Sequence, residues 1–207
     1  MAITEKAYNM RVEEDSREMF SSLTSDQLSD AGERTDHDLL ARMAARDKYA
    51  LQAFFPRHAM HVHKLLQPIS DTRESVDETL VDSFVVVWRE AHKFRGESRA
   101  LIWLLKIVYD RALASHRGEL ARLKGTTASD FGEDACGSAR RPQWLSRALV
   151  QLSFAQRAAI ELAYGLGLSC DEMASVMQCS PKIVKTTLLH ARRALDLAGA
   201  KMPRNDT

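Results

Sequence analysis

Between residues 36 and 117 apolar side chains return every three or four positions, the period of an amphipathic helix. No stretch alternates apolar with polar residues as a half-buried strand would. Leu39, Leu40 and Met43 open the series, and Leu51, Phe54 and Phe55 continue it. Order is expected to begin at "TDHD", where Thr35 and Asp38 have the spacing of a capping box, with Asp in the last place. Pro56 predicts a kink or a new helix start, because proline lacks an N–H and crowds the preceding turn. "HAMHVHKLL" then keeps helical register to Gln67, and Pro68 stops it. The next helix is predicted from about Thr72 to Phe94, with Val76, Leu80, Phe84 and Val87/Trp88 as its stripe. Gly96 interrupts "KFRGES" and Ser98 is placed to cap a further helix, on which Leu101, Leu104, Leu105, Val108 and Ala112 recur on one face.

The periodicity is lost over 118–142, "GELARLKGTTASDFGEDACGSARRP", where Gly, Ser, Thr and Asp dominate the middle and Asp130, Glu133 and Asp134 gather. Such a stretch reads as a linker. Beyond it three helix starts are marked alike. Ser153 precedes Gln156 and Ser169 precedes Glu172 at capping-box spacing, and Ser180 precedes Pro181 at the first helical position. "GLG" (165–167) and "QCS" (178–180) separate these helices, which are too short to stand alone and must pack together. The expected fold is all-α: two small helical domains joined by a flexible linker. The boundaries are an acidic extension over 1–35, a helical domain over 36–117, the linker over 118–142, a second helical domain over 143–200 and a tail over 201–207.

In the second domain Met173, Val176 and Met177 make one side of the first short helix apolar, and Val184, Leu188, Ala191 and Leu195 stripe the next. Those faces must meet, leaving Lys182, Lys185, Thr186, Arg192 and Arg193 outside. A helix joined to its predecessor by so tight a turn, with bases and a threonine near its N-terminus, has helix-turn-helix geometry. Its N-terminal end suits the major groove, with Lys and Arg on phosphates and Lys182, Lys185 or Thr186 near base edges. A solvated charged face on an ordinary helical hairpin remains open on this pattern alone.

Composition adds restraint. The 207 residues are 45% hydrophobic and 28% charged with a net charge of +1, so bulk charge does not announce a nucleic-acid binder. The charges are unevenly placed: residues 1–36 hold nine acids against four bases, and residues 143–207 eight bases against five acids. Different partners for the two ends follow. The acidic extension is suited either to cover the basic C-terminal domain or to remain a disordered appendage. Cys136, Cys170 and Cys179 form no CxxC pair, which argues against a disulfide framework or structural zinc and fits a reducing compartment. No apolar run is long enough to span a bilayer and no signal pattern opens the chain, so a cytoplasmic protein without membrane insertion is expected.

In the first domain, Asp77, Glu78 and Asp82 lie in the N-terminal half of their helix. They complement its dipole there and also offer an acidic surface to a basic protein. "FRGESRALIWLLKIVYDR" interleaves Arg95, Arg99, Lys106 and Arg111 with Phe94, Trp103 and Tyr109. Bases with aromatics suit single-stranded nucleic acid, where cations follow the backbone and rings stack on bases; Phe94 and Trp103 equally suit a core.

The series "DLLARMAARDKYALQAFF", "SVDETLVDSFVVVWREAHKFRGES", "WLLKI", a polar linker and "LSFAQRAAIELAYGLGLSCDEMASVMQCSPKIVKTTLLHARRAL" resembles, in that order over about residues 36–198, the extracytoplasmic-function sigma factors of bacterial RNA polymerase, in the sigma-70 family. The resemblance implies a C-terminal helix-turn-helix of the winged-helix-like sigma region 4 type and a non-enzymatic role. The chain would bind core polymerase, recognise the −35 and −10 promoter elements and aid melting. It implies contacts to the beta-prime clamp through Asp77, Glu78, Asp82, Phe84 and Trp88, and to the beta flap. It implies −10 DNA contacts through Arg95, Ser98, Arg99, Trp103, Lys106, Asp110 and Arg111. For the −35 DNA it implies Ser180, Pro181, Lys182, Lys185, Thr186, Thr187, Leu189, His190 and Arg193. An anti-sigma factor or another control would restrain it, and no cofactor is implied.

Several positions depart from the family pattern. Val81 and Val86 stand where polar or basic residues are usual, Ala100 and Leu101 replace a frequent aromatic and basic pair, and Asp110 stands for Asn. Thr187 and Leu189 take common Arg and His positions. Leu189 should point outward, onto a thymine methyl or a partner. Two rivals are weighed. A helix-turn-helix regulator of LuxR type, not a polymerase subunit, shares the C-terminal pattern but lacks any receiver-like strands upstream. A metalloenzyme on His58, His61 and His63 lacks a complete ligand set, and surface histidines account for the tract.

Overall fold

A computed structural model of the chain describes residues 25–70, 72–123 and 151–200. Among the described residues the regular structure is helical, with no strand. The helices are α1 (Ser25–Ala44), α2 (Lys48–Ile69), α3 (Arg73–Glu90), α4 (Ala100–Leu123), α5 (Phe154–Ile160), α6 (Cys170–Met177) and α7 (Pro181–Ala200), with a 3₁₀ turn at Ala91–Lys93 and a π-helical turn at Glu161–Gly165. The expected extension lies outside the described residues up to 24, as do linker positions from 124, Asp130, Glu133, Asp134 and Cys136 among them, the start of the second domain at 143–150, and the tail.

Several boundaries differ from expectation. α1 runs through Thr35 from Ser25, so Thr35 is an interior residue and not a cap. α2 is unbroken at Pro56: the proline is exposed, while Phe54, His58, Val62, Leu65 and Leu66 pack inward and hold the helix through it. α2 ends at Ile69, one residue past Pro68, whose lost donor falls in the last turn. α4 begins at Ala100, so Arg99 and not Ser98 directly precedes it, and it continues to Leu123, beyond the predicted linker start.

Other caps are as the sequence implies. Thr72 accepts from the Ser75 N–H to open α3. Ser153 with Gln156, and Ser169 with Glu172, form complete capping boxes at α5 and α6. Ser180 Oγ accepts from the Ile183 N–H at 3.4 Å, with Pro181 at the first helical position. A cap that the sequence did not single out is Asp47, which is held by Arg42 at 2.7 Å and caps α2 through the Tyr49 N–H.

The predicted stripes become one continuous core. Leu39, Leu40, Met43, Phe54, Val76, Phe84, Val87, Leu104, Leu105 and Val108 from the first half join Phe154, Leu162, Met173, Val176 and Val184 from the second. α4 is central to this packing and meets both α3 and α6. Tyr109 and His116 of α4 face Phe154 of α5, with ring centroids 5.6 and 5.0 Å away.

Candidate nucleic-acid interface

The turn between α6 and α7 is built from its own residues. Gln178 closes α6 in the left-handed conformation (φ 51°), its N–H bonded to the Ala174 carbonyl. Cys179 follows with its N–H on the same carbonyl, and Ser180 starts α7. Upstream, the π-helical turn bonds the Leu166 N–H to the Glu161 carbonyl, and Gly167 (φ 67°) takes the left-handed position that redirects the chain into α6. α6 and α7 meet with Met173, Val176, Met177 and Val184 buried in one core, and Ala191 of α7 is buried as well.

Opposite that seam, α7 exposes Ser180, Pro181, Lys182, Lys185, Thr186, Leu189, His190 and Arg193, with Thr187 half-buried. Leu189 is 47% exposed and points outward as expected. Ile183, 54% exposed, joins the same face and was not among the residues the sequence singled out. Its signal was readable: it falls between Lys182 and Thr186 and off the Val184–Leu188–Ala191 stripe. A shallow groove of about 320 Å³ runs between α5 and α7, lined by Ser153, Ala155, Gln156, Lys182, Ile183, Thr186, Thr187 and His190. Arg192 is turned away, its guanidinium 5.4 Å from the Tyr164 ring centre.

The second basic-aromatic cluster lies on α4 and the loop before it. Gly96 sits at φ 73°, a left-handed turn that favours glycine. Its neighbour Phe94 packs edge-on against Trp103 at 5.4 Å and against His37 of α1 at 4.9 Å. Trp103 is thus half-buried as a strut of the loop. Arg95, Ser98, Arg99, Lys106, Asp110 and Arg111 are exposed, though not all are unengaged. Arg99 pairs with Glu172 at 3.1 Å, Arg111 pairs with Asp82 at 2.8 Å, and Asp110 accepts from the Gln178 side-chain amide. Burial acts to raise the Glu172 carboxyl, but its bonds from Ser169 and the Arg99 pairing outweigh that and leave it below the usual glutamate value.

His37 is positioned by what precedes it. Asp36 is buried, with Arg57 Nη1 at 3.0 Å and His58 Nε2 at 2.9 Å. Burial acts to raise this carboxyl, but bonding and charge from His58 and Arg57 prevail and hold it below the ordinary aspartate value. This corrects the surface account of the histidine tract: His58 is 5% exposed, facing Asp36, with its ring tilted against Phe54 at 4.2 Å between centroids. Neither Asp36 nor His37 was picked out from the sequence, because their partners lie on α2 and in the loop before α4.

On α3, Asp77, Glu78 and Asp82 are exposed along one side. Phe84 is not available as a surface contact: it is 4% exposed and packs against Phe54 and Phe55. Trp88 is half-buried with the Arg46 guanidinium 5.8 Å from its ring centre. Val81 (59%) and Val85 (50%) are exposed beside the acids. Of the cysteines, Cys170 and Cys179 are free and partly exposed, and burial raises the Cys179 thiol above its ordinary value.

Residues 143–195 match the family model for "Sigma-70, region 4", which takes in α5, α6 and most of α7. Across 168 residues, covering 79% of this chain and 84% of the relative, the sequence is 30% identical to the ECF RNA polymerase sigma factor SigM of Mycobacterium tuberculosis H37Rv. The chain belongs to the extracytoplasmic-function RNA polymerase sigma factors. Another relative of this sigma factor, SigK of Mycobacterium bovis BCG, is 28% identical over 167 residues, 76% of this chain and 89% of its own. Solved structures share the fold. CnrH, determined with the cytosolic domain of CnrY, aligns with a TM-score of 0.60 at 23% identity, over 81% of this chain and 99% of that one. RpoE of Bartonella quintana, determined with the anti-sigma factor NepR, aligns with a TM-score of 0.60 at 19% identity, over 73% and 98%. No described helix of this sigma factor is long and apolar enough to cross a membrane.

Proposed function

We propose that this sigma factor joins core RNA polymerase in the cytoplasm and confers promoter-specific initiation without itself catalysing a reaction. One observation carries the division of labour. The α6–α7 hairpin buries Met173, Val176 and Val184 in its core and turns Lys182, Lys185, Thr186, Leu189, His190 and Arg193 outward from a three-residue turn. That face, with Ser180, Pro181, Thr187 and Ile183, contacts the −35 element: the lysines and Arg193 on phosphates, Thr186 and the two aliphatics on base edges.

The loop from Phe94 to Arg99 and the outer face of α4 take the −10 element. Arg95, Ser98, Arg99, Lys106, Asp110 and Arg111 meet the backbone and base edges, and Trp103 braces the loop on Phe94. A base taken out of the stack costs a few kcal/mol, which a preformed loop on rigid helices is suited to return. Asp77, Glu78 and Asp82, with Val81 and Val85 between them, form the surface for the beta-prime clamp. Phe84 and Trp88 support that surface from beneath. An anti-sigma factor is the expected protein restraint. The regulator outside polymerase is set aside because kinship extends across both halves of the chain and not the helix-turn-helix alone.

The test is transcription in vitro with core polymerase on a genomic template. Addition of the chain should create start sites that core alone lacks, preceded at constant spacing by two shared sequence elements. Failure to bind core at low salt, or start sites unchanged from core alone, overturns the proposal.

A further inference from the structure

We infer that His37 of α1 is a positioning residue for the loop before α4: its ring props Phe94 and the turn at Gly96, and so sets the shape in which Arg95, Ser98 and Arg99 meet single-stranded DNA. The inference deepens the assignment of that loop to the −10 element and rests on it. The loop runs between two fixed ends. On one side the 3₁₀ turn Ala91–Lys93 closes as the Phe94 N–H donates to the Ala91 carbonyl at 3.1 Å. On the other, α4 starts at Ala100. Between them Gly96 holds the left-handed position (φ 73°). Glycine reaches that conformation easily and leaves it as easily, so the shape of the loop depends on what packs against it.

Two rings from different helices pack there. Phe94 meets Trp103 of α4 with 5.4 Å between centroids, and it meets His37 of α1 edge-on, at 4.9 Å and 85° between the ring planes. His37 also reaches the turn itself. Its Cε1 and Nδ1 lie 3.6 Å from the point where a Cβ on Gly96 would stand, so the imidazole covers the backbone of the turn at van der Waals distance. One side chain thus touches both the aromatic that begins the loop and the glycine that bends it.

The base under His37 is firm. His37, Leu40 and Met43 return at steps of three on one side of α1, and Leu40 and Met43 are fully buried. Asp36, next in the chain, is buried against Arg57 and His58 of α2. α1 packs on the 3₁₀ turn and on α4, the two elements that the loop joins. A half-buried ring on such a base is a fixed wall. A loop held by it is ordered before DNA arrives, whereas a loop without it must be ordered on binding, and that cost appears as lost affinity. One edge-on ring pair corresponds to about two- to tenfold in such an equilibrium.

The test compares the full wild-type chain with His37→Ala and with His37→Phe, which keeps a ring. Backbone amide exchange over residues 94–98 reads the loop with no DNA present. Anisotropy of a labelled single-stranded oligonucleotide, carrying the −10 element mapped from the start sites, reads the consequence, and a duplex carrying the −35 element is the control. In His37→Ala the amides should exchange about two- to tenfold faster and the −10 affinity should fall by a similar factor. His37→Phe should stay within about twofold of wild type in both. Affinity for the −35 duplex should be unchanged in both variants, which a general loss of fold would not allow. Amide exchange unchanged in His37→Ala, a phenylalanine variant as impaired as the alanine one, or an equal loss on the −35 duplex overturns the inference. Faster exchange with full −10 affinity would instead overturn the assignment of the loop to DNA and leave His37 as its prop.

Discussion

Replacing Asp36 with asparagine tests how the fold braces the loop before α4. The side chain is buried (8% exposed) and receives Arg57 Nη1 at 3.0 Å and His58 Nε2 at 2.9 Å. Asn keeps the shape and removes the carboxylate charge, so both contacts lose their anionic partner while the Arg57 guanidinium keeps its own charge. His58 is buried and Arg57 is 41% exposed, so the His58 contact carries most of the loss and the Arg57 contact is screened. The expected cost at neutral pH is about 1–3 kcal/mol, or roughly 3–9 °C in Tm for a chain of this size. The pH dependence has a definite sign. The folded carboxyl titrates below the ordinary 3.8, so the unfolded chain takes up the proton first. Stability from this group is complete above the unfolded value and is lost as pH falls through it and on through the depressed folded value. Urea midpoints of wild type and Asp36→Asn, compared from pH 7 downward, should therefore converge in acid. Glu172, also depressed, is present in both and cancels. A gap between the two proteins that stays constant as the carboxylates titrate would refute the reasoning. Because His37 follows Asp36 and packs on Phe94, the same variant should also weaken binding of a single-stranded −10 oligonucleotide.

Gly96→Ala forces a Cβ into a left-handed turn and should cost about 1 kcal/mol, seen as a lower Tm together with weaker capture of the single-stranded oligonucleotide; no change in either would remove Gly96 from the account. Lys185→Ala should weaken −35 duplex binding evenly across sequences and reduce the slope of log K against log salt by about 1. Ile183 and Leu189 should each read thymine methyls, so uracil in place of the contacted thymine should cost about 0.8 kcal/mol with wild type and nothing with Ile183→Ala or Leu189→Ala. Ser169→Ala should lower stability by about 1 kcal/mol through loss of the α6 cap, measured by urea denaturation, and should weaken −35 binding by moving the start of the hairpin.

Much of this sigma factor is legible along the chain because its information is local. Capping pairs such as Ser153/Gln156 and Ser169/Glu172 lie within one turn, and the i, i+3, i+4 recurrence of Val76, Leu104 and Val184 needs no distant partner to be seen. The outward face of α7 follows from the same period, since whatever is not on the Val184–Ala191 stripe faces solvent. Other features were out of reach because they depend on residues far apart in sequence. Pro56 sits in an unbroken helix because packing around Phe54 and His58 outweighs one missing donor. Phe84 lies on the helix that carries the acids, but neighbours on α2 bury it. The burial of His58 is set by Asp36, 22 positions earlier, and the engagement of Arg99 by Glu172, 73 positions later. Helix content, caps and amphipathic faces are short-range properties of a polypeptide, and the order of residues suffices to specify them. Which charges are paired, which aromatic braces a loop, and which residues of α4 are engaged by α6 follow from long-range packing, and they exist only once the helices have met.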